Sequence, residues 1–211
     1  MTNIAINGIG RIGKLVLKLL ISNDYKVTYL NELNGNPSSL LHSLEFDSIH
    51  GKWDASFKLD NEKISINKKI IQSTFSKNIE NLDLNNIDIL IDCTGAHNNS
   101  SDLKKYFDKG VKKVVVSAPV NEENIANIAY GVNQNIYNPN KHNIITAASC
   151  TTNCIAPIIK VIHENIGIVH GSITTIHNLT NSQTLVDIPQ NNLRRARSVS
   201  YTHLTLPTRL S

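Results

Sequence analysis

Cys150, with polar neighbours in the run Ser149-Cys150-Thr151-Thr152-Asn153-Cys154, is the residue whose surroundings most suggest chemistry. The run follows an apolar stretch ending near Ala148 and precedes apolar residues at helical spacing as far as Glu164. That order predicts a strand, a turn and a helix, with Ser149 or a neighbouring threonine capping the helix. Cys150 then falls in the first helical turn, where the helix dipole and unpaired N–H groups stabilise a thiolate. A nearby imidazole would stabilise it further and could act as general base. His177, at the end of the next predicted strand (172–176), is the best placed of the eight histidines. Spacing alone leaves this pairing open against the plainer reading of two structural residues. Cys93 and Cys154 read as small buried hydrophobes. Cys150 and Cys154 stand four apart without a second ligand pair, so no metal site is expected. Pro157 predicts a kink or a late start to regular helix.

A second set of residues points to phosphate recognition. Gly8-Ile9-Gly10-Arg11-Ile12-Gly13 matches G-x-G-x-x-G, follows a predicted strand over 3–7 and opens a predicted helix over 11–21. The first glycine serves a tight turn, the second a close approach to pyrophosphate, and the third helix–strand packing. The helix N-terminus offers N–H groups to the phosphates. Glu32 closes a second strand over 27–30 and lies at the spacing expected of a ribose-binding acid. Its carboxylate would accept from both ribose hydroxyls and repel a 2′-phosphate, which favours NAD over NADP. The alternative is a glycine turn without a ligand.

These groups need a scaffold. Apolar strand patterns recur at 87–92, 114–116 and 143–146, with fainter ones near Phe57 and at 64–66. A polar helix pattern covers 102–109, with Gly110 available to end it. Strands alternating with helices predict an α/β fold: a Rossmann-type parallel sheet with helices on both faces. No linker is visible, so the domain boundary near Ala148 is expected to be a direct junction.

The bulk properties narrow the function classes. A chain of 211 residues can bury a sizeable core. Three sparse cysteines do not make a disulfide framework and point to a reducing, cytoplasmic setting. No leader-like segment opens the chain, and no apolar stretch is long enough to cross a membrane, so no membrane partner is expected. The formal charge of +4 is mild, and only Arg194, Arg195 and Arg197 cluster. Without interleaved aromatics that cluster suits a small phosphorylated ligand better than nucleic acid.

Three motifs in order, Asn7 to Gly13, Ala148 to Cys154 and Leu193-Arg194-Arg195-Ala196-Arg197, resemble the phosphorylating glyceraldehyde-3-phosphate dehydrogenase family. Glu45-Phe46-Asp47-Ser48-Ile49-His50-Gly51 and Tyr130-Gly131-Val132-Asn133-Gln134 are similar to its pattern too. The resemblance implies that Cys150 attacks an aldehyde and that His177 draws the proton. Hydride then passes to NAD, and phosphate releases the acyl group from a thioester. It implies that Arg11, Ile12, Glu32, Thr94, Gly95 and Ser117 line the cofactor with the glycines. Ser149, Thr151, Thr180 and Arg195 would hold the phosphorylated substrate or inorganic phosphate. A homotetramer is implied for the full-length enzyme, because the arginine loop reaches a neighbouring cofactor site.

The chain also departs from the family. Glu32 replaces the usual aspartate, and Ser182 stands where an aspartate is common. The segments 30–53 and 176–183 look closest to members linked to arsenate, and erythrose-4-phosphate dehydrogenase is another close relative. A non-catalytic NAD-binding remnant is the alternative from a different class. The resemblance divides the chain into an NAD-binding domain (1–148), the incomplete start of an α+β catalytic domain with an antiparallel sheet (149–200), and a non-native tail (201–211). The chain as it stands is therefore expected to be a truncated N-terminal fragment, inactive in turnover.

Overall fold

A computed structural model describes residues 1–177 and residue 180. The first half of the chain runs β1 (Asn3–Asn7), α1 (Arg11–Ser22), β2 (Lys26–Asn31) and α2 (Pro37–Glu45). A short hairpin pair follows, β3 (Phe46–Asp47) and β4 (Gly51–Lys52), then β5 (Phe57–Asp60), β6 (Lys63–Ile66) and β7 (Lys69–Thr74). The second half contains β8 (Ile89–Asp92), α3 (Ser100–Asp108), β9 (Lys113–Val116), β10 (Ala126–Asn127), β11 (Ile144–Thr146) and α4 (Cys150–Asn165). None of the described helices is long and apolar enough to cross a membrane.

Among the described residues the main sheet has the order β10-β11-β9-β8-β1-β2-β7-β6-β5. It is parallel from β10 to β7 and antiparallel at the β7-β6-β5 edge. Both faces are covered, as alternation along β1 shows: Ala5 belongs to one apolar cluster and Ile6 to the other. Leu103 and Tyr106 of α3 pack on the first face. Leu17 and Ile21 of α1, with Leu40 and Leu44 of α2, pack on the second. Opposite faces follow from direction, because right-handed crossovers leaving β1 and β8 toward opposite edges put their helices on opposite sides. This is the expected doubly covered α/β sheet.

Local chemistry accounts for the elements. In α1 the buried positions Gly13, Leu17 and Ile21 recur every four residues, the spacing of one helix face. The Asn99 side chain caps α3 by accepting from the Asp102 N–H, so that helix starts before the expected 102. In α2, Asn36 accepts from the Ser39 N–H, Ser39 bonds back to Asn36, and Pro37 lies in the first turn. This capping box and β7 went unpredicted, since polar residues interrupt both apolar patterns.

The expected strand over 172–176 is not formed; a single bridge residue, Thr175, stands there. Strand structure exists only through a partner's ladder, and none is extended to it among the described residues. The antiparallel sheet expected beyond α4 lies outside the described residues. The chain divides into two compact units, Met1–Asn153 and Cys154–Ser211, five residues beyond the boundary expected at Ala148.

Candidate functional site

The glycine loop leaves β1 at the point where the sheet order reverses, with β8 on one side and β2 on the other. A crevice at the carboxyl ends of parallel strands forms at such a switch point. Gly8 has φ of +87°, and a β-carbon on it would lie 2.7 Å from the Thr94 nitrogen. A β-carbon on Gly13 would come within 1.9 Å of the Gly8 carbonyl oxygen. These two glycines are therefore demanded by backbone packing. Gly10 is different: nothing lies within 4 Å of its β-carbon position. It is also the N-cap of α1, no side chain caps that helix, and its first turn carries no acidic residue. Open space before an uncapped helix N-terminus fits a pyrophosphate. Arg11 and Ile12 are exposed beside it.

Glu32 stands just past β2 and is half-buried. One carboxylate oxygen accepts the Ile9 N–H at 2.6 Å, and the other accepts the Leu33 N–H at 2.9 Å. The carboxylate thus ties the glycine loop to the end of β2. A carboxylate offers about four lone-pair sites, so capacity for ribose hydroxyls remains. Thr94 and Gly95 are exposed on the turn after β8. Thr94 is anchored to Asp92, its N–H at 2.9 Å and its hydroxyl at 2.7 Å from the same oxygen. Ser117 follows β9, its N–H donating to the Asp92 carbonyl at 2.9 Å. The expected cofactor residues accordingly gather around the carboxyl ends of β1, β2, β8 and β9.

Beneath them runs a polar row that the sequence reading passed over. Strand register aligns Asp92, Asn7, Asn31 and Thr74 side by side. The Asn31 amide donates to Asn7 Oδ1 at 2.8 Å, and the Asn7 amide donates to the Tyr106 hydroxyl at 2.6 Å. Tyr106 donates to Asp92 at 2.8 Å, and His97 Nδ1 lies 2.7 Å from the same Asp92 oxygen. Three of these strands, β1, β2 and β8, end on a polar residue after an apolar run, a signal present in the sequence. Burial, followed by the Asp92 charge, raises the Tyr106 phenol above its usual range and keeps it protonated.

The cysteine turn is built at the next strand end. Ala148 is buried and adopts φ of +54°, a left-handed geometry that costs a non-glycine residue on the order of 1–3 kcal/mol. Its N–H donates to Thr146 Oγ1 at 3.1 Å, and the Asn153 amide clamps the Ala147 and Ser149 carbonyls at 2.6 and 2.9 Å. The Ser149 hydroxyl accepts the Thr152 N–H at 3.0 Å, an N-cap contact that leaves Cys150 as the first residue of α4. Cys150 is exposed there, with no acidic residue in the first turn. Thr151 is half-buried beside it. Dipole and exposure together suit a reactive thiolate. The helix continues through Pro157 to Asn165, so the expected late start is not observed.

The other cysteines separate from it. Burial pushes the Cys93 thiol up to about 11, with a hydrogen bond to Ser117 opposing and Asp92 adding to the rise. Cys93 is half-buried against the apolar cluster rather than fully buried as expected. Cys154 corrects the expectation: it is exposed, because α4 buries none of its residues. His177, half-buried, and Thr180, exposed, belong to the second compact unit. Arg195, with Arg194 and Arg197, lies outside the described residues, as does the expected tail over 201–211.

Fold and site together define a Rossmann-type dinucleotide-binding domain that leads directly into a helix headed by an exposed cysteine. Residues 2–100 match the family model described as "Glyceraldehyde 3-phosphate dehydrogenase, NAD binding domain". Residues 149–209 match that of the "Glyceraldehyde 3-phosphate dehydrogenase, C-terminal domain". Glyceraldehyde-3-phosphate dehydrogenase 3 of a Nostoc species is 42% identical over 200 residues, covering 93% of this chain and 59% of the relative. Glyceraldehyde-3-phosphate dehydrogenase of Geobacillus stearothermophilus is also 42% identical, with the same coverage. Glyceraldehyde-3-phosphate dehydrogenase 1 of Bacillus subtilis is 38% identical over 200 residues, again covering 93% of this chain and 59% of the relative. The chain belongs to the glyceraldehyde-3-phosphate dehydrogenase family. It spans 59% of the length of these relatives.

Proposed function

We propose that the protein takes part in the NAD-dependent, phosphorylating oxidation of glyceraldehyde 3-phosphate to 1,3-bisphosphoglycerate through a thioester on Cys150. The observation that carries the reading is the exposed Cys150 at the head of α4, one residue after the Ser149 cap and two after the left-handed Ala148. The Cys150 sulfur attacks the aldehyde carbon, and its N–H helps to hold the resulting oxyanion. His177 gives the oxyanion the proton it drew from the thiol and takes it back as hydride leaves the same carbon. NAD, when bound, supplies the hydride acceptor. Inorganic phosphate then displaces the cysteine sulfur from the acyl group, and the thiolate is restored. Ser149, Thr151, Thr180 and Arg195 hold the two phosphate groups of the reaction.

Gly8, Gly10, Gly13, Arg11, Ile12, Glu32, Thr94, Gly95 and Ser117 seat the dinucleotide. Residues 1–148 act as the NAD domain, and residues 149–200 open the catalytic domain. A cytoplasmic homotetramer belongs to the same reading and is checked by light scattering.

The experiment compares the wild-type protein with Cys150→Ser. In the full-length protein both forms should bind NAD equally, and only the one with Cys150 should form NADH from glyceraldehyde 3-phosphate, NAD and phosphate. NADH formation by Cys150→Ser would remove the thioester route. Repeating the assay with arsenate, and with erythrose 4-phosphate, ranks the related reactions.

A further inference from the structure

Asp92 ends β8 with its side chain wholly buried. An unpaired carboxylate there would carry a severe desolvation penalty, so its partners matter. One oxygen accepts both Thr94 donors, and the other accepts Tyr106 and meets His97. Of these partners only the His97 imidazole can neutralise the charge, and its side chain is 16% exposed. The ring lies edge-on to Tyr106 at 5.9 Å, and its Nδ1 is 3.3 Å from Thr94 Oγ1 and 3.3 Å from the Tyr106 hydroxyl. The charged groups facing it from α3 are Asp102, which favours its protonation, and Lys105, which opposes it. Lys105 is itself held 3.0 Å from Glu80. The hydrogen bond to Asp92 dominates, outweighs burial, and holds the imidazole above its ordinary 6.5.

This pair lies directly behind the glycine loop. The Thr94 nitrogen stands 2.7 Å from the β-carbon position of Gly8, so the turn that Asp92 anchors is the wall on which the first glycine packs. We propose that His97 is a positioning residue for the dinucleotide: charged and paired with Asp92, it fixes Thr94 against Gly8 and cancels a buried negative charge beside the phosphate loop. The proposal rests on the reading that this loop binds NAD. With His97 neutral, the uncompensated Asp92 charge opposes an anionic pyrophosphate. NAD therefore binds more tightly when His97 is protonated, and bound NAD must in turn favour that protonation. Folding follows the same sign: the contribution of His97 is complete below 6.5 and is lost as pH climbs through the higher folded-state value.

The test follows the His97 ring by NMR in the wild-type chain, with and without saturating NAD, and measures NAD affinity across the same pH range. Saturating NAD should raise the pKa of His97, and affinity should weaken about three- to tenfold as the ring loses its proton. His97→Asn should bind at the weaker level throughout, with a flat pH profile. An unmoved His97 titration, or a wild-type affinity that ignores it, overturns the proposal while leaving NAD binding intact. A wild-type chain that binds no NAD at any pH removes the dinucleotide reading and this proposal together. If His97→Asn does not fold, the wild-type titration decides alone.

Discussion

A β-carbon on Gly13 would stand 1.9 Å from the carbonyl oxygen of Gly8, so the start of α1 is pressed against the turn that leaves β1. Gly13→Ala should therefore cost about 1–3 kcal/mol of stability through overpacking, seen as a lower midpoint in urea. Gly10, with nothing near its β-carbon position, should tolerate alanine within about 0.5 kcal/mol. It should nevertheless lose NAD affinity on the order of tenfold, because the added methyl occupies the phosphate approach. Unchanged affinity in Gly10→Ala would place the pyrophosphate elsewhere.

Tyr106 links the two strand ends under the site, accepting from Asn7 and donating to Asp92. Tyr106→Phe leaves a buried amide without its acceptor and a carboxylate one donor short. The expected loss is about 1–3 kcal/mol, read from chemical unfolding. A loss near zero would mean that water replaces the hydroxyl in the variant.

The three thiols should differ in reactivity. Cys150 is exposed at a helix N-terminus, Cys154 is exposed one turn further on, and burial pushes Cys93 up to about 11. Timed alkylation at neutral pH followed by peptide mass spectrometry should modify Cys150 first and Cys93 last. Early modification of Cys93 would contradict its raised thiol pKa and partial burial.

Asp47 should titrate at about 2. The His50 and Ile49 N–H groups are the main cause, and Lys14, 3.2 Å away, adds less. The folded-state value is depressed, so the stabilisation is present above 3.8 and is lost as pH falls toward about 2. In Lys14→Met, NMR should find Asp47 still well below 3.8. A return to the ordinary value would transfer the effect to the lysine.

Much of the scaffold was legible. The short apolar run within residues 3–7, ended by a glycine-rich turn, marked β1, and the spacing of Ile12, Leu15, Val16, Leu19 and Leu20 marked α1. The serine cap before Cys150 could be anticipated because capping is local. Helix α2 was not, since Ser38, Ser39, His42 and Ser43 break the apolar pattern that its leucines begin. The strand expected over 172–176 failed for the opposite reason: its pattern is present, but a strand needs a ladder from elsewhere in the chain.

The amino-acid sequence by itself determined where α1 and α4 begin, that Gly13 must be glycine, and which thiol heads a helix. Each of these depends on backbone geometry within a few residues. Only the tertiary structure decided that Asn7 would meet Tyr106 across 99 residues of chain, or that Glu32 would fasten the loop at Ile9. Those contacts depend on strand order and register, with β8 and β2 flanking β1. Strand order is set by the packing of crossover helices on both faces, a global balance that no local pattern encodes.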